Sequence, residues 1–124
     1  MAGAAVVDVV NQYVTSDINH GQVAEWEYTA RPWAGLDRYD AADPSRFLGN
    51  VTTPTLVLHG DADTRVPFAQ GLTLYRALVD QEIDTALWVY PGEGHGLSNP
   101  AHNVHRMEVW AEWMSTYAGD GAAE

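Results

Sequence analysis

The chain has 124 residues, 17 acidic against six arginines and no lysine, for a formal net charge of −11. That balance argues against nucleic acid or an anionic membrane as partner, since both select a basic footprint, and it reads as a solubility device. Hydrophobic content of 46%, with five Trp and six Tyr, can fill the core of one small domain or part of a larger one, and the absence of Cys removes disulfides, a thiolate nucleophile and Cys-based metal sites.

The N-terminal run from Met1 to Val10 is apolar but lacks a positive n-region, and Asp8 interrupts it, so it is a poor signal peptide. It is far too short to span a bilayer. The compartment stays open, with the cytoplasm a little favoured, and a targeting signal of any longer parent would lie upstream. Residues 3–7 read as a short strand that begins almost without a preceding element. Residues 8–50 are irregular and aromatic, with Tyr13, Trp26, Tyr28, Trp33, Tyr39 and Phe47. Arg31-Pro32-Trp33 and Asp43-Pro44-Ser45 punctuate them. Short helices and a long excursion over the functional face are expected there.

From Val51 the pattern is regular. Pro54 to Leu58 reads as a strand buried on both faces. Pro67 opens a helix to about Asp80, with Phe68, Leu72, Tyr75, Leu78 and Val79 on its inner face. Thr85 to Tyr90 reads as the next buried strand. Asn99-Pro100 starts a last helix to about Tyr117, its inner stripe being Val104, Met107, Trp110 or Ala111, Met114 and Tyr117. Residues 118–124 read as a frayed tail. Alternating strands and helices with parallel strands imply an α/β sheet with right-handed crossovers.

Two loops carry the chemistry. His59-Gly60-Asp61-Ala62-Asp63-Thr64-Arg65-Val66-Pro67 follows one buried strand, and Pro91-Gly92-Glu93-Gly94-His95-Gly96 follows the next. Catalytic groups gather just past the carboxyl ends of parallel strands. A weak hydroxyl nucleophile needs a base, and the base needs an orienter that fixes its tautomer and stabilises the imidazolium. Asp63 and His95 are 32 positions apart, which leaves room for one crossover helix and one strand. Neighbouring strands ~4.8 Å apart would then hold acid and base together. A serine hydrolase needs this acid and this histidine in this order after its nucleophile. No Gly-x-Ser-x-Gly occurs, and the only serines are Ser16, Ser45, Ser98 and Ser115, none in a strand-turn-helix elbow. Asp61 reads as solvated, His59 as packed and hydrogen-bonded, and His102 and His105 as a surface pair rather than a metal site. No metal and no cofactor is expected.

These segments together resemble the C-terminal catalytic domain of the prolyl oligopeptidase family of serine peptidases, its acylaminoacyl-peptidase and dipeptidyl-peptidase branches most of all. Ala2 to Asp8 is similar to the strand after the family's nucleophile helix. Thr15 to Ile18 and Glu25-Trp26-Glu27 are similar to its next loop, and Arg31-Pro32-Trp33 to the segment after that. Val51 to Gly60 leads into the acid loop, and Gly92 to His95 matches the histidine loop. The resemblance covers nearly residues 2–117, and Asp63-x-Arg65-Val66-Pro67 is more specific than a generic hydrolase loop.

The resemblance implies the C-terminal portion of an α/β-hydrolase sheet, about three parallel strands with flanking helices, with residues 1–117 as a partial peptidase catalytic domain. It implies Asp63 as triad acid and His95 as general base. Arg65 would bind a substrate carbonyl and Val66 would wall the pocket, with Val6 and Val9 as further pocket candidates. The parent reaction would be hydrolysis of peptide or acyl-peptide bonds through an acyl-enzyme. The family's nucleophile elbow would lie upstream of Met1. The chain is therefore expected to be a fragment, inactive alone. A half-enzyme needing a partner chain, a non-catalytic interaction module and an esterase parent remain open alternatives. Self-association through the exposed edge strand is expected.

Overall fold

A computed structural model describes residues 1–18 and 30–118. Its centre is a parallel sheet of three strands, β1 (Ala2–Gly3), β2 (Thr55–Gly60) and β3 (Thr85–Tyr90), in the order β1-β2-β3. The helices are α1 (Val9–Thr15), α2 (Leu36–Ala42), α3 (Phe68–Val79) and α4 (Pro100–Ala118), with 3-10 turns at Pro32–Ala34 and Pro44–Asn50. The short helices expected before Val51 are present. Glu25-Trp26-Glu27, Trp26 and Tyr28, with the tail past Ala118, lie outside the described residues.

β2 is the middle strand, and its alternation builds two cores. Val57 joins Val7, Leu74 and Leu78 on the α3 side. Leu56 and Leu58 join Tyr90 on the other, with Val109 and Trp113 of α4 packed against them. Successive side chains of a strand point to opposite faces, so an unbroken apolar run serves both layers. Thr55 pairs with Thr85 and Gly60 with Tyr90, so β2 and β3 end in step. The loops that leave them start side by side.

Four expectations are corrected. The first strand does not run through residues 3–7. It ends at Gly3, and Ala4 takes a positive φ of 45°. The amides of Val7 and Asp8 then donate to Gln70 Oε1 at 2.8 Å each instead of continuing the ladder. Asp8 caps α1 by accepting from the Asn11 amide, so Val9 opens a helix. The inner face of α3 is Gln70, Gly71, Leu74 and Leu78, while Val79 is exposed. Hydrophobicity pointed to the neighbouring rail because the tightest position needs a glycine and the next a hydrogen-bonding amide. On α4, Val104, Met107, Trp110 and Met114 are exposed, and Val109 and Trp113 make the sheet contact. Trp88 and Val89 of β3 are also exposed, since β3 has a strand on one side only among the described residues.

Candidate active site

The acid loop is a tight turn that buries its carboxylate. Asp63 is 4% exposed. Its Oδ1 accepts the amides of Arg65 and Val66, both at 2.9 Å, so the backbone of Arg65-Val66 fixes the rotamer. Oδ2 then points to His95 and accepts from Nδ1 at 3.0 Å. Because the carboxylate accepts, Nδ1 carries the hydrogen and Nε2 keeps its lone pair. The imidazole is half exposed. A buried anion behind a half-exposed imidazole is the arrangement that orients a base and stabilises its protonated form.

A second imidazole backs the acid. His59 is buried, its Nε2 donates to the Val66 carbonyl at 2.8 Å, and the same nitrogen lies 3.6 Å from Asp63 Oδ2. The packed, hydrogen-bonded reading of His59 therefore holds. Its ring rests on Gly71, where an added Cβ would stand 2.4 Å from Nδ1. The sheet-facing position of α3 thus has room for glycine alone.

Acid and histidine loops also touch through backbone. The Ala62 amide donates to the Glu93 carbonyl at 3.0 Å, and Asp61 Oδ1 accepts the Gly92 amide at 2.6 Å. Asp61 is exposed but bonded, not merely solvated. Gly92 has a φ of 72°, a region in which a side chain is strained. At Gly60 an added Cβ would lie 2.2 Å from the Glu93 carbonyl oxygen.

Arg65 sits on the solvent side of the acid loop. Its Nε donates to Asp17 Oδ1 at 2.6 Å, and the Thr64 hydroxyl donates to Asp17 Oδ2 at 2.9 Å. The hydrogen bond from Arg65, then that from Thr64, holds the Asp17 carboxyl below its ordinary value. The Ser16 hydroxyl and the Gln12 side-chain amide both donate to the Arg65 carbonyl at 2.7 Å. α1 and the segment after it thus brace the acid loop. Val66 and Val9 are buried and Val6 is half-buried. A cavity of about 420 Å³ opens beside His95, between Gly3, Ala4, Tyr90, Arg106 and Trp110. Val6, Val9 and Val66 do not line it.

Reading the sequence missed Glu93. It is 3% exposed. Its Oε2 accepts the Ser98 amide at 2.6 Å and the Ser98 hydroxyl at 3.0 Å, and Oε1 accepts the Asn99 amide at 2.9 Å and His102 Nδ1 at 2.7 Å. The Ser98 amide, then His102, then the Asn99 amide lower its pKa to about 2. A lone Glu in a glycine-rich loop carries no sequence signal of such a cluster. His102 is therefore an anchored residue, and His105 packs edge-on against Trp88 and Tyr90. The two do not form a bare surface pair. No group of three or more His, Asp or Glu suited to a metal occurs among the described residues, and no described helix is long and apolar enough to cross a membrane.

None of the four serines faces His95 from an elbow. The Ser16 and Ser98 hydroxyls are committed to Arg65 and Glu93, Ser45 lies in a 3-10 turn, and Ser115 is on the surface of α4.

Comparison with known proteins bears on the family and the fold. The chain is 32% identical over 96 residues to dipeptidyl-peptidase 5 of Aspergillus fumigatus, covering 75% of this chain and 13% of that protein. It is 33% identical over 91 residues to the acylamino-acid-releasing enzyme of Arabidopsis thaliana, covering 73% and 12%. The chain thus spans about an eighth of the length of these curated relatives. Among solved structures, an acylaminoacyl peptidase of Pyrococcus horikoshii superposes with a TM-score of 0.80 at 19% identity, over 98% of this chain and 20% of that one. A puromycin-hydrolyzing peptidase of Mycobacterium tuberculosis gives 0.81 at 23% identity, over 94% and 18%. These place the three strands and their helices in the α/β-hydrolase fold. The profile of the prolyl oligopeptidase family matches residues 1–121, and the chain belongs to that family.

Proposed function

We propose that this chain supplies the acid and base of a prolyl-oligopeptidase-like serine peptidase, and that the nucleophile comes from a segment outside residues 1–124. The observation that carries this reading is the 3.0 Å contact from His95 Nδ1 to the buried Asp63 carboxylate. In the reaction His95 Nε2 takes the proton of an incoming serine hydroxyl as that oxygen attacks the scissile carbonyl. Asp63 holds the imidazole in the required tautomer and stabilises the cation. His95 then gives the proton to the leaving amine, and an acyl-enzyme remains for water to hydrolyse.

The substrate is a peptide or an acyl-peptide. Arg65, with its Nε tied to Asp17, keeps its terminal amino groups for a peptide carbonyl. Val66, with Val6 and Val9, walls the pocket for the residue before the scissile bond, a pocket distinct from the cavity beside His95, which these valines do not line. Residues 1–117 form the C-terminal part of the catalytic domain, and the exposed stripe of Val104, Met107, Trp110 and Met114 together with the outer edge of β1 makes the chain prone to self-association.

Hydrolysis of acyl-alanine and acyl-leucine chromogenic substrates tests the reading. This chain alone should be inactive, and the mixture with the upstream catalytic segment of a relative should be active. A rate from this chain alone that disappears with His95→Ala would place a nucleophile within it and overturn the proposal.

A further inference from the structure

We infer that Glu93 is the positioning residue of the general base: its buried carboxylate anchors the histidine loop to the start of α4 and so holds His95 against Asp63. This rests on the reading of His95 as the base.

His95 has little to hold it otherwise. Its imidazole is half exposed, and its one hydrogen bond among the described residues is the one to Asp63. A loop side chain with a single hydrogen bond keeps that bond only while its backbone stays in place. Glu93, two residues earlier, fixes it in three directions. The carboxylate accepts two amides, a hydroxyl and an imidazole N–H from Ser98, Asn99 and His102, which tie it to the residues that open α4. The Glu93 carbonyl accepts the Ala62 amide, so the same residue is tied to the acid loop. That carbonyl also rests against Gly60, where nothing larger than hydrogen fits. Bonds to an ionised acceptor are about twice as strong as neutral ones. Such donors hold the carboxyl charged over the whole working range, in line with a pKa of about 2. One residue thus joins β2's loop, β3's loop and α4 at the point where His95 must meet Asp63.

Long-range 1H–15N imidazole spectra of the 124-residue chain test this, because they read the tautomer of each histidine directly. His95 is assigned with His95→Gln. In the unaltered chain His95 is expected in the Nδ1–H tautomer, and Asp63→Asn should abolish that preference. Glu93→Gln, which keeps size and halves the acceptor, should move His95 toward the Nε2–H form that an unheld neutral imidazole favours. Should Glu93→Gln not fold, the double variant Ser98→Ala, His102→Ala removes only two side-chain donors and should give a smaller shift in the same direction. A variant that lowers the urea midpoint but leaves the His95 tautomer untouched makes Glu93 merely structural and overturns the inference. An unaltered chain whose His95 shows no preference dependent on Asp63 overturns the proposed function itself, and this inference with it.

Discussion

Gly60→Ala should break the site without touching a catalytic side chain. The new Cβ would stand 2.2 Å from the Glu93 carbonyl oxygen and 2.6 Å from that of Gly94. Both obstacles are backbone, so the two loops must move apart by more than ~1 Å to restore ordinary contact. Overpacking of this kind costs ~1–3 kcal/mol. The same movement stretches the hydrogen bonds from Ala62 to Glu93 and from Asp61 to Tyr90, each worth ~0.5–1.5 kcal/mol. A total loss of ~2–6 kcal/mol follows from these two terms. The Asp63–His95 contact spans the same gap, so it should open too. Gly94→Ala is the control, since nothing lies within 4 Å of its Cβ position, and it should stay within ~0.5 kcal/mol. Urea melts followed by tryptophan fluorescence give the stabilities. If Gly60→Ala melts within ~1 kcal/mol of the unaltered chain, the close packing of the two loops is not what holds the site together.

Glu93 makes stability acid-sensitive. Its folded pKa is depressed from 4.5 to about 2, so its contribution is complete above the ordinary carboxyl range and is lost as pH falls through about 2. Between those values urea midpoints should fall less steeply for Glu93→Gln than for the unaltered chain, and parallel pH profiles would refute the assignment. The Asp17 carboxyl should titrate below its ordinary value and return toward it in Arg65→Ala, read by NMR, with the urea midpoint little changed. Sedimentation at several concentrations should show association through the β1 edge and the α4 stripe. A monodisperse monomer with a steep, concentration-independent melt would contradict the fragment reading.

The strand-end logic was legible because it depends on residue type and spacing alone. The apolar run at 54–58, the helix opened by Pro67 and the second run at 85–90 place Asp63 and His95 side by side without further information. What was not legible depends on partners distant in sequence. Gln70 binds the amides of Val7 and Asp8, and so ends the first strand at Gly3 rather than Val7. Gly71 is inward-facing because His59 lies under it. The apolar stripe of α4 was assigned to the core on hydrophobicity, yet the sheet takes Val109 and Trp113, and Val104, Met107, Trp110 and Met114 remain exposed. A helix apolar over more than one face cannot be oriented from its periodicity. Glu93 escaped notice for a related reason: its four donors come from residues five to nine positions downstream, and only the loop's fold gathers them.

Fluorophosphonate labelling of the mixture of this chain with a relative's upstream catalytic segment tests the central claim most directly. Mass spectrometry should find the label on a serine of the other segment and never on Ser16, Ser45, Ser98 or Ser115. Labelling should depend on adding this chain, and should fall sharply with Asp63→Asn and with His95→Ala, because removing one triad member removes most of the ~10⁶-fold acceleration of turnover. Labelling that is indifferent to this chain, or to those two substitutions, would contradict the account.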